Sequence, residues 1–210
     1  MTGARALGST RPACTRTPLP GPVRGAIAAL RLRIPAPGNG GITRTMVTPQ
    51  TPPSPSPVHT VAVLGAGTMG HGIAQVAAAA GLATRLFDVT TELVDRGLAR
   101  VRGNLEQGVA RGKLTTDQQD ATLAALSGHT ELASAVTGAD IVIEAVPEKL
   151  ELKQELFGRA AAHLAADAIL ATNTSSLSVG ALAATLPHPE RVIGTHFFNP
   201  VHIMKLLEII

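Results

Sequence analysis

The chain has 210 residues, 45% of them apolar, with no Trp or Tyr, four Phe and one Cys. That inventory allows one domain of ordinary size with a core of Ala, Val, Leu and Ile, and Cys14, standing alone, excludes an internal disulfide and a cysteine-based metal site; no apolar run approaches the roughly 18 residues of a membrane span. The net charge of +3 averages two unlike parts: residues 1–57 hold seven Arg and no acid, and beyond them eleven basic residues face fifteen acidic ones, a net charge of −4.

Residues 1–57 read as a disordered Arg/Pro-rich tail that runs into "TPQTPPSPSPV", an extended Pro/Ser linker. Within it, Val23 to Ile34 has the pattern of a short amphipathic basic helix. Three readings of the tail stand side by side. The start is assigned too early and Met46 is the true first residue; or the tail has no function; or it is a transit peptide, against which its eleven Pro argue. A basic tail without aromatic residues offers no base-stacking groups, so neither a nucleic-acid nor a membrane partner is expected. The cysteine usage suits a reducing compartment. A cytoplasmic location is the expectation, or the mitochondrial matrix if the tail is a transit peptide.

From Thr60 the pattern is regular, and residues 58–210 read as one domain. "TVAVLG" is a buried strand. Thr68 to Ala80 has helical spacing and stops at Gly81. "ATRLFD" is a second strand. Thr91–Gly112 and Thr115–Leu126 are helical. Ala139–Val146 is a strand, Lys149–Ala166 a helix, "AILATN" a strand, and Ser178–Thr185 a short helix. "RVIGTHF" and "KLLEII" are the last strands. Strands alternating with helices predict an α/β fold, a Rossmann-type doubly wound and mostly parallel sheet with right-handed crossovers.

Gly65-Ala66-Gly67-Thr68-Met69-Gly70 is a G-x-G-x-x-G run that ends the first strand and opens the first helix. Gly65 permits the tight turn, Gly67 lets backbone approach a pyrophosphate, and Gly70 lets helix lie close to strand. Thr68 and Met69 belong to the same phosphate-facing turn, whose free N–H groups meet the phosphates. Asp88, at the end of the second strand, is placed to accept hydrogen bonds from the adenosine ribose hydroxyls. No Arg follows closely to neutralise a 2′-phosphate, so NAD is the expected cofactor rather than NADP. "ATNTSSLS" leaves a strand with five consecutive hydroxyl or amide residues, Thr172 to Ser176, where ligands of such sheets sit. His196 ends a strand, Asn199-Pro200 make a turn, and Glu208 lies among Leu206, Leu207, Ile209 and Ile210. A lone charge buried there needs a partner. A strand, a turn and a returning strand are expected to bring Glu208 beside His196, as a base held by an orienting carboxylate.

These stretches carry a resemblance. "VLGAGTMGHGIAQVAA", "IVIEAVPEKLELKQELF", "ATNTSSLS" and "GTHFFNPVHIMKLLEII" resemble the N-terminal NAD-binding domain of the L-3-hydroxyacyl-CoA dehydrogenases, over about Thr60 to Ile210. The resemblance implies an acyl-CoA substrate and a role for each matching residue. His196 corresponds to the catalytic base for the 3-hydroxyl, and imidazole titrates in the right range for it. Glu208 corresponds to its carboxylate partner. Ser175 falls on the serine that hydrogen-bonds the substrate oxygen, and Asn199 on the asparagine that holds substrate and nicotinamide. Glu148 and Lys153 match cofactor contacts. Asn104, Arg111 and Lys113 lie in the helical pair that contacts coenzyme A in the family, one residue out of step. No metal site is implied. His71, His129, His163, His188 and His202 receive no role, and Asp140 and Glu144 read as strand-end and sheet residues. The family carries a second, all-helical domain after the last strand. This chain stops at Ile210, so that domain is expected to be absent. Poor turnover unless completed, an apolar surface prone to association, and a homo-oligomer only where the helical domain is supplied are the corollaries. A silent NAD-binding remnant and a related hydroxy-acid dehydrogenase of the L-gulonate type are the rival readings.

Overall fold

Strand β1 (Thr60–Leu64) sends Val61 and Val63 to one face and Ala62 and Leu64 to the other, and all four are buried. Such a strand needs cover on both sides, the condition of a parallel sheet with helices on each face. The computed structural model describes residues 57–210. The Arg/Pro-rich tail, its Val23–Ile34 helix and the Met46 start therefore lie outside the described residues.

The strands after β1 are β2 (Ala83–Phe87), β3 (Leu126–His129), β4 (Ile141–Glu144), β5 (Ile169–Thr172), β6 (Val192–Phe197) and β7 (Leu207–Ile209). They form one sheet in the order β3-β2-β1-β4-β5-β6-β7. The first six run parallel, and β7 returns antiparallel on β6. The order reverses between β1 and β4, the place where doubly wound sheets open a crevice at their C-terminal strand ends. The predicted fold class is thus the observed one.

The helices are α1 (Gly70–Ala79), α2 (Thr91–Ala110), α3 (Thr116–Ala124), α4 (Leu132–Val136), α5 (Leu150–Ala161) and α6 (Val179–Ala183). One core layer joins Val61, Val63, Ile73, Ala74, Leu86 and Ile143 under α1. The other joins Leu64, Val136, Val142, Leu156, Phe157 and Leu182 under α4, α5 and α6.

Two elements differ from expectation. The single helix predicted over Thr115–Leu126 ends at Ala124, and the chain then enters β3. The sequence of β3, "LSGH", has no apolar run, and the strand is held by its parallel pairing with β2 at the sheet edge. Gly128 lets α2 lie on it, because a Cβ there would stand 2.5 Å from Val94 Cγ1. Helix α4 then returns the chain to β4, in only five residues, too few to show a helical period.

Candidate functional site

The G-x-G-x-x-G turn is built by contacts that no side chain would tolerate. Gly65 adopts φ +102°, and a Cβ on it would stand 2.8 Å from the Ala145 carbonyl oxygen. A Cβ on Gly70 would stand 1.6 Å from the Gly65 carbonyl oxygen. Gly67 is different: nothing lies within 4 Å of the place its Cβ would occupy. Gly65 and Gly70 are needed by the fold itself, and the open face is at Gly67. Among the described residues, the N–H groups of Gly67, Thr68 and Met69 find no backbone acceptor, as expected of a helix start that meets a ligand.

Asp88 follows β2 directly. Its Oδ2 accepts the Ala66 N–H at 2.8 Å and its Oδ1 the Val89 N–H at 2.7 Å. One contact locks the carboxylate to the glycine turn, and each oxygen keeps a second acceptor position for a hydroxyl.

At the ends of β4 and β5 lies a chain of polar groups. Glu144 and Lys153 are both wholly buried, and the Lys153 ammonium bonds both carboxylate oxygens of Glu144 at 2.8 and 2.9 Å. It also meets Glu148 Oε2 at 3.0 Å. Glu148 Oε1 accepts the Thr174 hydroxyl, the Ser175 N–H at 3.3 Å and the Ser176 hydroxyl at 3.3 Å. Burial alone would raise the Glu148 carboxyl, but the Thr174 hydroxyl and the Lys153 ammonium, helped by the Ser175 N–H, hold it below its usual value. Lys153 was expected to touch the cofactor. In the structure its ammonium is buried between Glu144 and Glu148, and Glu148, whose side chain is 36% exposed, is the group that reaches the surface.

Strand β6 runs past the end of β5, because Thr172 pairs with Gly194 and the strand continues to Phe197. The overhang puts His196 beside the loop that leaves β5. Asn173 Oδ1 ties the two by accepting the Phe197 N–H at 2.9 Å. His196 stands opposite Glu208 across the β6–β7 pair. Its Nδ1 lies 2.8 Å from Glu208 Oε2, and its ring packs at 4.5 Å, tilted, against Phe198. Among the described residues no group bonds His196 Nε2, the Ser175 hydroxyl or the Asn199 amide. The expected pairing of His196 with Glu208 is present, but burial is not its cause. Glu208 is 53% exposed, on a strand exposed along its whole length.

The three residues expected near coenzyme A separate. Asn104 bridges α1 and the turn after β6, donating to Gln75 at 3.0 Å and approaching His202 Nδ1 at 3.5 Å. Burial, with the charge of His71, lowers the pKa of His202. Arg111 and Lys113 lie beyond the far end of α2, about 30 Å along the helix from its start at Thr91. Arg111 there bonds Gln107. The structure does not bring these two to the strand ends. Sequence reasoning put Thr172, Asn173 and Thr174 at the ligand edge without giving them separate partners, and it missed Glu144, read there as a sheet residue. The available signal was the spacing of Lys153, Leu156, Phe157 and Ala160, which puts a lysine on the buried stripe of α5 and demands a buried carboxylate opposite it.

Residues 60–210 match the family model of the 3-hydroxyacyl-CoA dehydrogenase NAD-binding domain. The chain belongs to this family. The 3-hydroxyadipyl-CoA dehydrogenase of Escherichia coli (strain K12) is 46% identical over 153 residues, which is 73% of this chain and 32% of that protein. The crystal structure of 3-hydroxybutyryl-CoA dehydrogenase from Escherichia coli K12 is similar with a TM-score of 0.71 at 45% identity, over 73% of this chain and 32% of that one. The (S)-3-hydroxybutyryl-CoA dehydrogenase of Ralstonia eutropha gives a TM-score of 0.71 at 38% identity, over 73% and 54%. This chain thus spans between a third and about half of the length of these relatives. The family's cofactor is NAD, and the residues present fit it: an open Gly67, a free helix start, and a carboxylate at Asp88 with acceptor positions to spare.

Proposed function

We propose that the chain takes part in the reversible oxidation of (S)-3-hydroxyacyl-CoA to 3-oxoacyl-CoA, in fatty-acid β-oxidation or hydroxybutyryl-CoA metabolism. The observation that carries this reading is the His196–Glu208 pair at 2.8 Å, set beside the polar loop at the end of β5. With Nδ1 engaged by the carboxylate, Nε2 is the nitrogen left to take the proton of the 3-hydroxyl. Glu208 fixes the tautomer and stabilises the imidazolium that forms. Ser175 and Asn199 present hydroxyl and amide groups for the substrate oxygen and the carboxamide of the nicotinamide. NAD, when bound, supplies the acceptor for the hydride that leaves C3. Gly67 and Asp88 bind its pyrophosphate and ribose, and Glu148 lies at the nicotinamide side of the same crevice.

A second reading is a chain that binds NAD without turnover. The exposure of Glu208, 53%, favours it, because water reaches the pair and weakens its electrostatics. The deciding experiment follows NADH consumption with acetoacetyl-CoA for the wild type and His196→Ala, with free 3-oxo acids as a second substrate set. Activity with the CoA ester that falls about 100- to 10,000-fold in His196→Ala supports the first reading. NADH binding without activity on any substrate establishes the second, and preference for the free acid points to a hydroxy-acid dehydrogenase.

A further inference from the structure

The polar groups behind the β5 loop are connected in series, and the first of them has every acceptor position filled. Glu144 Oε1 accepts the Val146 N–H at 2.7 Å and Lys153 Nζ at 2.8 Å. Its Oε2 accepts Lys153 Nζ at 2.9 Å and the Thr172 hydroxyl at 2.7 Å. A carboxylate offers about four such positions, so Glu144 is saturated inside the protein. Lys153 carries three N–H donors. Two go to Glu144 and the third to Glu148. Glu148 then gathers the Thr174 hydroxyl, the Ser175 N–H and the Ser176 hydroxyl on its other oxygen. Thr174, itself 3% exposed, closes the turn by accepting the N–H of Ser176 at 3.3 Å and of Leu177 at 2.9 Å.

Stability alone does not account for this arrangement. A buried ion pair is often matched or bettered by apolar residues of the same volume, and the surroundings here are apolar: Val142, Leu156 and Phe157 are all buried. The ion pair supplies what an apolar pair cannot. It presents a cation of fixed position to Glu148, from below, at the point where three groups of the 174–176 turn converge from above.

We infer that Glu144 is a positioning residue: it holds the Lys153 ammonium against Glu148 and, through Glu148, fixes the turn that carries Ser175. The inference rests on the proposed role of that turn and of Glu148 in the dinucleotide site. Glu144 touches neither substrate nor cofactor. It acts through two intermediates, and its effect is on how firmly the Ser175 backbone is held.

The test separates positioning from structural support. In the full chain, Glu144→Leu combined with Lys153→Met replaces the ion pair by an apolar pair. Melting temperature, amide hydrogen exchange at Ser175, Ser176 and Leu177, and NADH affinity by fluorescence titration are then read together. The expected result is a melting temperature close to that of the wild type, exchange at the three amides about tenfold faster, and NADH binding about tenfold weaker. A restored melting temperature with wild-type exchange and affinity would overturn the inference and leave the pair a structural one. Should the double variant fail to fold, Glu144→Gln carries the same readings, since it keeps the shape but turns an amide donor toward either Lys153 and Val146 or Lys153 and Thr172. Wild-type exchange in a folded Glu144→Gln overturns the inference as well. A wild-type chain that binds no NADH would sink the reading of the crevice, and the amide exchange would still decide the role of Glu144.

Discussion

At the scale of single residues, the site depends on carboxylates held by backbone N–H groups, hydroxyls, one ammonium and one imidazole. Glu208 is the simplest. Glu208→Gln keeps an acceptor for His196 Nδ1 and removes the charge, and charge-assisted hydrogen bonds are about twice as strong as neutral ones. Turnover with acetoacetyl-CoA is expected to fall about 10- to 100-fold, with NADH affinity unchanged; equal loss in both would show that Glu208 supports the fold instead. Asp140 makes a second case, away from the chemistry. Its Oδ2 accepts the N–H of His59 at 2.7 Å and of Thr60 at 2.8 Å, pinning the start of β1. Those two bonds, His59 first, lower its pKa. A lowered carboxyl contributes stability above its unfolded pKa, roughly 3.9, and loses it as pH falls through the folded value. Asp140→Asn is expected to cost about 1 kcal/mol, or roughly 2–4 °C in melting temperature, at pH 7. The gap to the wild type should close as the pH is taken below about 4; a gap independent of pH would exclude the charge as its source. These residues also show what the sequence made legible. His196 and Glu208 were found as a pair, through an argument about burial that fits Glu144 better: Glu144 is the carboxylate that is wholly enclosed. "IVIEAV" contains the same signal as "LLEII", but reading it needs the register of α5 against β4, which one strand does not reveal.

At the scale of elements, legibility followed periodicity. Strands β1, β2, β4, β5 and β6 and the long helices α2 and α5 carry clear apolar periods, and all were expected from them. Strand β3 and helix α4 exist because the sheet offers an edge and the chain must return to β4; that cause lies in tertiary structure and leaves no local period. The glycine turn allows a sharper test. Gly70→Ala drives a Cβ into the Gly65 carbonyl, and is expected to cost about 3 kcal/mol, or roughly 6–12 °C in melting temperature. Gly67→Ala meets open space and no positive φ. Its melting temperature should stay within about 2 °C of the wild type, while NADH affinity drops about tenfold or more, because the added methyl occupies the path of the pyrophosphate. Thermal scans and fluorescence titrations on the two variants decide this; equal melting temperatures would refute the division of labour among the glycines.

At the scale of the whole molecule, the sheet has two unlike sides. At its β3 side the polar strand packs against α2 and α4. At its β7 side Ile203, Leu206, Leu207, Ile209 and Ile210 are all exposed. An edge strand with apolar side chains and unpaired backbone groups is a template for association. Light scattering is therefore expected to rise with concentration in the wild type, and Ile209→Lys, which places a charge on that edge, should suppress it without lowering the melting temperature. Scattering that does not respond to Ile209→Lys would place the sticky surface elsewhere.

The antiparallel pairing of β6 with β7 has a kinetic meaning. The carboxylate that orients His196 rides on a three-residue strand at the sheet margin, and margins fray first. Were β7 to lift away, the imidazole would lose the 2.8 Å contact to Glu208. If lifting costs about 1.4 kcal/mol, one molecule in roughly ten is untethered at any instant. Anything laid along the outer side of β7 would lengthen the tethered intervals and, under the function proposed above, would set the pace of proton removal from a distance, as a hand on a loose hinge steadies the door.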